Sequence, residues 1–103
     1  MAELGNESLN GLPSSDRPRE RLYARGAAEL SLQELLAIVI GGGTRGSGAL
    51  VLALRLLGEF GDLITMGRAG VDEMRRVNGI SFARACQLAA AFELGRRFAR
   101  DSR

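Results

Sequence analysis

The sequence contains no histidine, no lysine and no tryptophan, and its single cysteine is Cys86. Without histidine, the chain cannot form a histidine-based metal site, a catalytic triad or a histidine general base. One cysteine cannot form an internal disulfide, which fits a reducing compartment. We therefore expect a cytoplasmic protein that is not an enzyme and uses no cofactor or metal, with Cys86 as a small core residue.

Aromatic residues and long hydrophobic runs are also scarce. Aromatic side chains make up 5% of the 103 residues. The apolar runs are broken at Gly41 and Arg55, so they are too short to cross a bilayer. The N-terminus has no basic segment followed by an apolar one, and no signal peptide is predicted. The length and a hydrophobic content of 46% suit one domain with one modest core.

Positive charge is concentrated in the last third of the chain. All fourteen basic residues are arginine, and the formal net charge is +2. Residues 75–103 contain seven arginines and two acids, whereas residues 1–16 contain three acids and no base. A gene composition that favours arginine codons explains the bias against lysine better than selection for bidentate phosphate contacts does.

Capping residues and apolar spacing predict an all-α fold, a small bundle of about five helices. Pro18 suits the first position of the first helix, and Gly26 suits a left-handed end to it. Ser31 and Glu34 have the spacing of a capping box and predict the start of the second helix.

Farther along, the pattern predicts a third helix that begins near Ser47 and is apolar nearly all round. A short turn is predicted after Asp62, and a helix capped by Gly70 follows it. The last helix carries a predicted apolar stripe at three- and four-residue spacing, which consists of Phe82, Ala85, Cys86, Ala89 and Phe92.

Domain limits follow from the same pattern. Residues 1–15 are polar, rich in glycine, serine and asparagine and without periodicity, so we predict a disordered tail. Residues 16–99 are predicted to form one helical domain. Residues 100–103 are predicted to be a frayed C-terminus at a domain boundary.

The stretch IVIGGGTRGSG, residues 38–48, looks like a phosphate-binding loop. A Walker loop needs lysine where Ser47 stands, and a dinucleotide fold needs a strand where the pattern predicts helix. A turn between helices is therefore favoured. An alternative is a degenerate repeat, because Gly43 laid on Gly79 also aligns small apolar residues of the two following helices. In that case Arg45 would give a second phosphate contact.

The segment MRRVNGISFARA, residues 74–85, is typical of a helix–hairpin–helix motif. Gly79 allows a tight turn with positive φ, and Ile80 would hold the turn against the helices. Backbone N–H groups of residues 79–83 are then expected to face outward at the start of a helix, where a DNA phosphate accepts hydrogen bonds. The candidate DNA-binding residues are Asn78, Gly79, Ile80, Ser81, Ala83 and Arg84, with Arg45 from the first loop.

Ser81 stands where the motif usually has its second glycine. Serine is a good N-cap, so its hydroxyl would occupy an amide that a phosphate could otherwise use. It would also be strained if this position required positive φ. A purely structural hairpin therefore remains the alternative to a DNA-binding one.

The order of several motifs resembles the N-terminal helical domain of the RadC family of bacterial DNA repair proteins. The resemblance covers residues 17–98 and includes RPRERL, LSLQELLAIVI and VNGISFARACQLAAAFELGRR. It implies non-sequence-specific binding to the DNA backbone and, in the parent protein, a following JAB/MPN domain with a histidine-based metal motif. Docking to that domain or to a second copy is the alternative function. No membrane and no small-molecule substrate are expected.

Overall fold

The computed structural model describes residues 17–41 and 48–102 of the chain. In these ranges all regular structure is helical, which confirms the predicted all-α class. The predicted tail and the loop that carries Arg45 lie outside the described residues. The helices are α1 (Arg17–Arg25), a 3₁₀ turn (Ala27–Glu29), α2 (Leu32–Ile40), α3 (Gly48–Phe60), α4 (Leu63–Arg68), α5 (Val71–Arg75) and α6 (Phe82–Asp101).

The chain divides into two compact units, Met1–Ala53 and Leu54–Arg103. The division falls within α3. The single domain predicted for residues 16–99 stays a prediction. The last helix continues through Asp101, two residues beyond residue 99, where the predicted domain ends.

In the first unit, the predicted end of α1 and start of α2 are confirmed, while Pro18 is the second residue of α1 and not the first. Gly26 has a φ of 90° and its N–H donates to the Leu22 carbonyl at 2.8 Å, so α1 ends in a left-handed residue. Ser31 accepts from the Glu34 N–H at 3.1 Å, and the Glu34 carboxylate accepts from the Ser31 N–H at 2.9 Å. Both halves of the capping box are therefore present at the start of α2.

The core of the first unit consists of small and branched apolar side chains. The Gln33 side-chain amide donates to the Leu50 carbonyl at 2.9 Å, which ties α2 to α3 within this unit. The buried hydrophobic residues here are Leu30, Leu36, Ala37, Ile40, Ala49, Leu52 and Ala53. Although α3 is apolar nearly all round, Val51 and Leu54 are exposed, so the helix does not bury all of its apolar side chains.

The prediction of a short turn after Asp62 is wrong, because residues 63–68 form a helix. The Asp62 carboxylate accepts from the Thr65 N–H at 2.8 Å and caps a short helix, α4. The next helix, α5, has the predicted cap, because the Gly70 N–H donates to the Glu73 carboxylate at 3.1 Å. The core of the second unit consists of Leu56, Met66, Met74, Val77, Ile80, Ala85 and Leu88.

The apolar stripe predicted for the last helix needs a correction at its first residue. Phe82 is 60% exposed, whereas Ala85 and Leu88 are buried. Cys86, Ala89 and Phe92 are half-buried. The buried face of α6 therefore begins one turn later than the spacing suggested, and it includes Leu88, which the predicted stripe omitted.

Two residue pairs of the predicted repeat occupy equivalent environments. Ala49 and Ala85 are both buried, and so are Leu52 and Leu88. The loop on which the alignment depends, residues 42–47, lies outside the described residues, so the repeat stays a prediction. No helix in the described ranges is long and apolar enough to span a membrane.

Candidate nucleic-acid interface

The hairpin joins α5 to α6 through residues 76–81. The turn is closed by backbone hydrogen bonds from Val77 to Met74 at 3.1 Å and from Ile80 to Val77 at 3.0 Å. The side chains of Val77 and Ile80 are buried, which holds the turn against its own unit. Gly79 has a φ of 95°, so the predicted left-handed glycine is confirmed and a residue with Cβ would be strained there.

Ser81 takes an extended conformation, with φ −73° and ψ 170°, that any residue can adopt. The strain considered for serine at this position is therefore absent. Its hydroxyl oxygen accepts from the Arg84 N–H at 3.2 Å and caps α6. Ser81 is thus accommodated without a backbone cost, and its hydroxyl occupies one amide of the first helical turn.

The expectation that every N–H of residues 79–83 faces outward is corrected at Ile80. That N–H donates to the Val77 carbonyl inside the turn, so it cannot also serve a phosphate. Phe82 and Ala83 hold the first two positions of α6, where an N–H has no acceptor within the helix. Both residues are exposed, so their amides are the first-turn groups best placed for an anion.

Arg55 of α3 contacts the turn, a contact that sequence reasoning missed. Its guanidinium Nη1 donates to the Asn78 carbonyl at 3.0 Å, across 23 residues of sequence. Both residues lie in the second unit. The bond holds the residue that precedes Gly79 and thereby stabilises the bend. No local pattern could have found it, because it depends on how α3 packs within this unit.

The hairpin surface is cationic. Residues 74–92 contain three arginines and no acid. The Arg75 guanidinium lies 5.6 Å from the centre of the Phe82 ring and 3.8 Å from the Asp72 carboxylate. Arg84 is half-buried in the first turn of α6. Asp72 and Glu73, just before this segment, offset part of the charge, and residues 72–85 together carry a formal charge of +1.

The arginines farther along α6 are engaged by acids. The Glu93 carboxylate accepts from Arg97 at 2.9 Å and from Arg96 at 3.0 Å, and these hydrogen bonds hold the Glu93 pKa below its usual value. Arg96 also donates to the Gly67 carbonyl. Arg75 is paired as well, with Asp72, so the hairpin arginines are the better candidates for DNA only because they lie beside the first-turn amides of α6.

Arg45, the remaining predicted contact, lies outside the described residues. In the part of the chain that is described, no group of three or more cysteine, aspartate or glutamate side chains is placed to hold a metal ion. A cavity of about 230 Å³ between α4 and α6 is lined by Leu63, Ile64, Gly67, Arg68, Phe92 and Arg96. Its lining contains no acidic or nucleophilic side chain, and it includes no residue of the hairpin.

Comparison with known protein families gives an assignment. The model of a family described as UPF0758 N-terminal matches residues 9–86. The chain belongs to the UPF0758 N-terminal family. The match includes the whole turn and the capped start of α6, so the hairpin belongs to the region that defines the family.

Full-length UPF0758 proteins are considerably longer than this chain. The chain is 42% identical over 95 residues to one from Shouchella clausii, and 51% identical over 91 residues to one from Dechloromonas aromatica. A protein from Roseiflexus castenholzii is 49% identical over 89 residues. These alignments cover 92%, 87% and 86% of the chain but 41%, 40% and 38% of the relatives. No solved structure matches the sequence at comparable significance.

Proposed function

We propose that this UPF0758 N-terminal region binds the DNA backbone without reading base sequence, through the hairpin of residues 74–85. In this proposal it is the N-terminal module of a RadC-like, repair-associated protein. The observation that carries the proposal is the capped start of α6, where the exposed Phe82 and Ala83 have first-turn amides with no acceptor in the helix.

Helix electrostatics favours an anion at this place. The aligned peptide dipoles leave partial positive charge at a helix N-terminus, and α6 has 20 residues. A phosphate oxygen would accept from the amides of Phe82 and Ala83, while the Arg84 guanidinium approaches the same or the adjacent phosphate. Such contacts position a protein on DNA without specifying bases.

The contact set is small, so affinity should be modest. Non-specific complexes of this kind have dissociation constants on the order of 10⁻⁴–10⁻⁶ M at physiological salt. Binding should weaken as salt rises, because each neutralised phosphate releases counterions. On this proposal the region is a binding module and carries no catalysis, and any hydrolytic chemistry belongs to the remainder of a longer protein.

Arg84→Glu and Arg97→Glu form a matched pair for the test. Both make the same charge change on the same helix, but Arg84 lies in its first turn beside the hairpin, whereas Arg97 lies toward its other end, beside Glu93. Fluorescence anisotropy with labelled duplex should show weaker binding for Arg84→Glu and a salt slope lower by about one or more. Arg97→Glu should change binding less. Equal losses in the two variants would show that only net charge matters and would reject the hairpin site.

A second candidate function is docking to another protein surface. Leu94 and Phe98, four residues apart on α6, are 69% and 75% exposed. Neighbours at this spacing form one apolar patch. Because the chain spans about two fifths of its curated relatives, the candidate partner is the remainder of such a longer protein.

Hydrogen exchange tests this second candidate. The amides of residues 90–98 should exchange more slowly in a full-length protein carrying this region than in the 103-residue chain. Sedimentation of the short chain separates out self-association, which would protect the same residues as concentration rises. Equal exchange in both forms would rule out docking through this patch.

A further inference from the structure

Phe82 is an exposed aromatic residue in a place where the fold does not need one. It occupies the first position of α6 and is 60% exposed. The turn beside it is held by the buried side chains of Val77 and Ile80, and the first buried residue of the helix is Ala85. Most of the Phe82 side chain therefore lies in solvent, where the part of the ring that Arg75 does not cover can meet a ligand.

The surroundings of the ring are positively charged. The Arg75 guanidinium lies 5.6 Å from the ring centre, a distance at which a cation interacts with the π face. Arg75 also pairs with Asp72 at 3.8 Å, and residues 72–85 carry a formal charge of +1. A flat aromatic surface beside guanidinium groups is the combination that binds single-stranded nucleic acid, in which bases stack on rings and cations follow the phosphates.

We propose that the Phe82 ring is a stacking platform for an unpaired DNA base, so that the hairpin prefers single-stranded DNA to continuous duplex. The inference rests on the proposed function, because the Phe82 and Ala83 amides that would hold a phosphate belong to the same turn as the ring. In a duplex the bases are paired and stacked inside the helix, so a ring at the backbone cannot reach them. In a single strand every base offers a π face.

Charge also distinguishes this site from the other exposed phenylalanine. Phe98 is 75% exposed but lies on the segment where Glu93 and Asp101 pair with arginines. Phe98 also lies near the C-terminal end of α6, where the helix dipole is negative and no first-turn amide is present for a phosphate. Phe98 is therefore the matched control, since it has the same side chain, on the same helix, outside the cationic hairpin.

The first measurement compares binding of labelled oligothymidine and labelled duplex of equal length at low salt. The wild-type chain should bind oligothymidine more tightly. Phe82→Ala should lower the ratio of single-strand to duplex affinity roughly 5- to 150-fold, which corresponds to the energy lost when a stacking aromatic is replaced by alanine. Phe98→Ala should leave the ratio unchanged. Since both rings are exposed, thermal melting should show that both variants fold.

The second measurement uses the absence of tryptophan from the chain. Phe82→Trp introduces a single indole at the platform and Phe98→Trp introduces one at the control position. Oligothymidine should quench the fluorescence of Phe82→Trp, because a stacked base contacts the indole, and should leave Phe98→Trp unchanged. Phe82→Trp should also keep the preference for single-stranded DNA that Phe82→Ala loses.

The possible results separate this inference from the proposed function. If the affinity ratio is the same in wild type and Phe82→Ala while Arg84→Glu still weakens binding to both DNAs, the platform is rejected and backbone binding stands. Equal losses in Phe82→Ala and Phe98→Ala would also reject the platform. If the wild-type chain binds neither DNA at low salt, both proposals are wrong.

Discussion

Ser81 stands where the motif predicted from the sequence would have its second glycine. Its φ of −73° requires no glycine, and its hydroxyl accepts from the Arg84 N–H at 3.2 Å. The sequence suggested two consequences of serine at this position, a helix cap and backbone strain. The cap is present and the strain is not.

Replacement of Ser81 should reveal the energy of this cap. Ser81→Ala should lower the free energy of unfolding by about 1 kcal/mol, because the Arg84 N–H loses its acceptor. Ser81→Gly should cost only a few tenths of that amount, since water reaches the exposed amides. Urea unfolding followed by circular dichroism measures both. A larger loss for glycine than for alanine would mean that the hydroxyl is not the stabilising group.

Two glycines in the second unit should respond to alanine with opposite signs. Gly79 has a φ of 95°, so Gly79→Ala should destabilise the protein by roughly 1–2 kcal/mol. Gly58 lies within α3, with open space where a Cβ would be placed. Gly58→Ala should stabilise by about 1 kcal/mol. A higher melting temperature for Gly79→Ala would contradict the left-handed assignment of Gly79, and a lower one for Gly58→Ala would contradict the open space at Gly58.

At the level of helices, side-chain caps are the main link between sequence and structure. Ser31 and Gly70 were correctly identified as the residues before α2 and α5. Asp62 was not, because aspartate suits both turns and helix caps and the six residues of α4 are too few to show a period. Only the hydrogen bond to the Thr65 N–H distinguishes the two possibilities.

Carboxylates in these elements make the helices sensitive to acid. Backbone hydrogen bonds lower the pKa of Glu34 and Asp62, from Ser31 and Thr65 respectively, and side-chain hydrogen bonds from Arg97 and Arg96 lower that of Glu93. A carboxyl group whose pKa is lowered by folding stabilises the protein at pH values above its pKa in the unfolded chain. This stabilisation is lost as the pH falls through the pKa of the folded state. Urea midpoints should therefore fall progressively from about pH 5 toward pH 2.

Asp62→Asn provides the control for this pH dependence. Asparagine caps a helix as well as aspartate does but does not titrate in this range. The variant should fold near neutral pH and lose less stability than wild type on acidification. An unchanged dependence on pH would show that the Asp62 carboxylate contributes nothing to it.

At the level of the whole chain, local features were predictable and long-range ones were not. The helical class, the left-handed Gly26 and Gly79 and the Ser31 capping box follow from residues close in sequence. The exposure of Phe82 was missed, because periodicity alone does not show where a buried face begins. The contact of Arg55 with Asn78 was missed because it spans 23 residues.

Because of the Arg55–Asn78 hydrogen bond, the conformation of the hairpin depends on a residue of α3 that lies outside residues 74–85. Arg55→Ala should speed amide exchange at Gly79 and Ile80 in the intact chain, as seen by NMR, because the bend loses its anchor. Arg68→Ala, in α4, should not. The same reasoning applies to protein engineering: a transplant of residues 74–85 into a foreign scaffold would carry the signature but leave behind the distant guanidinium that keeps its loop in shape.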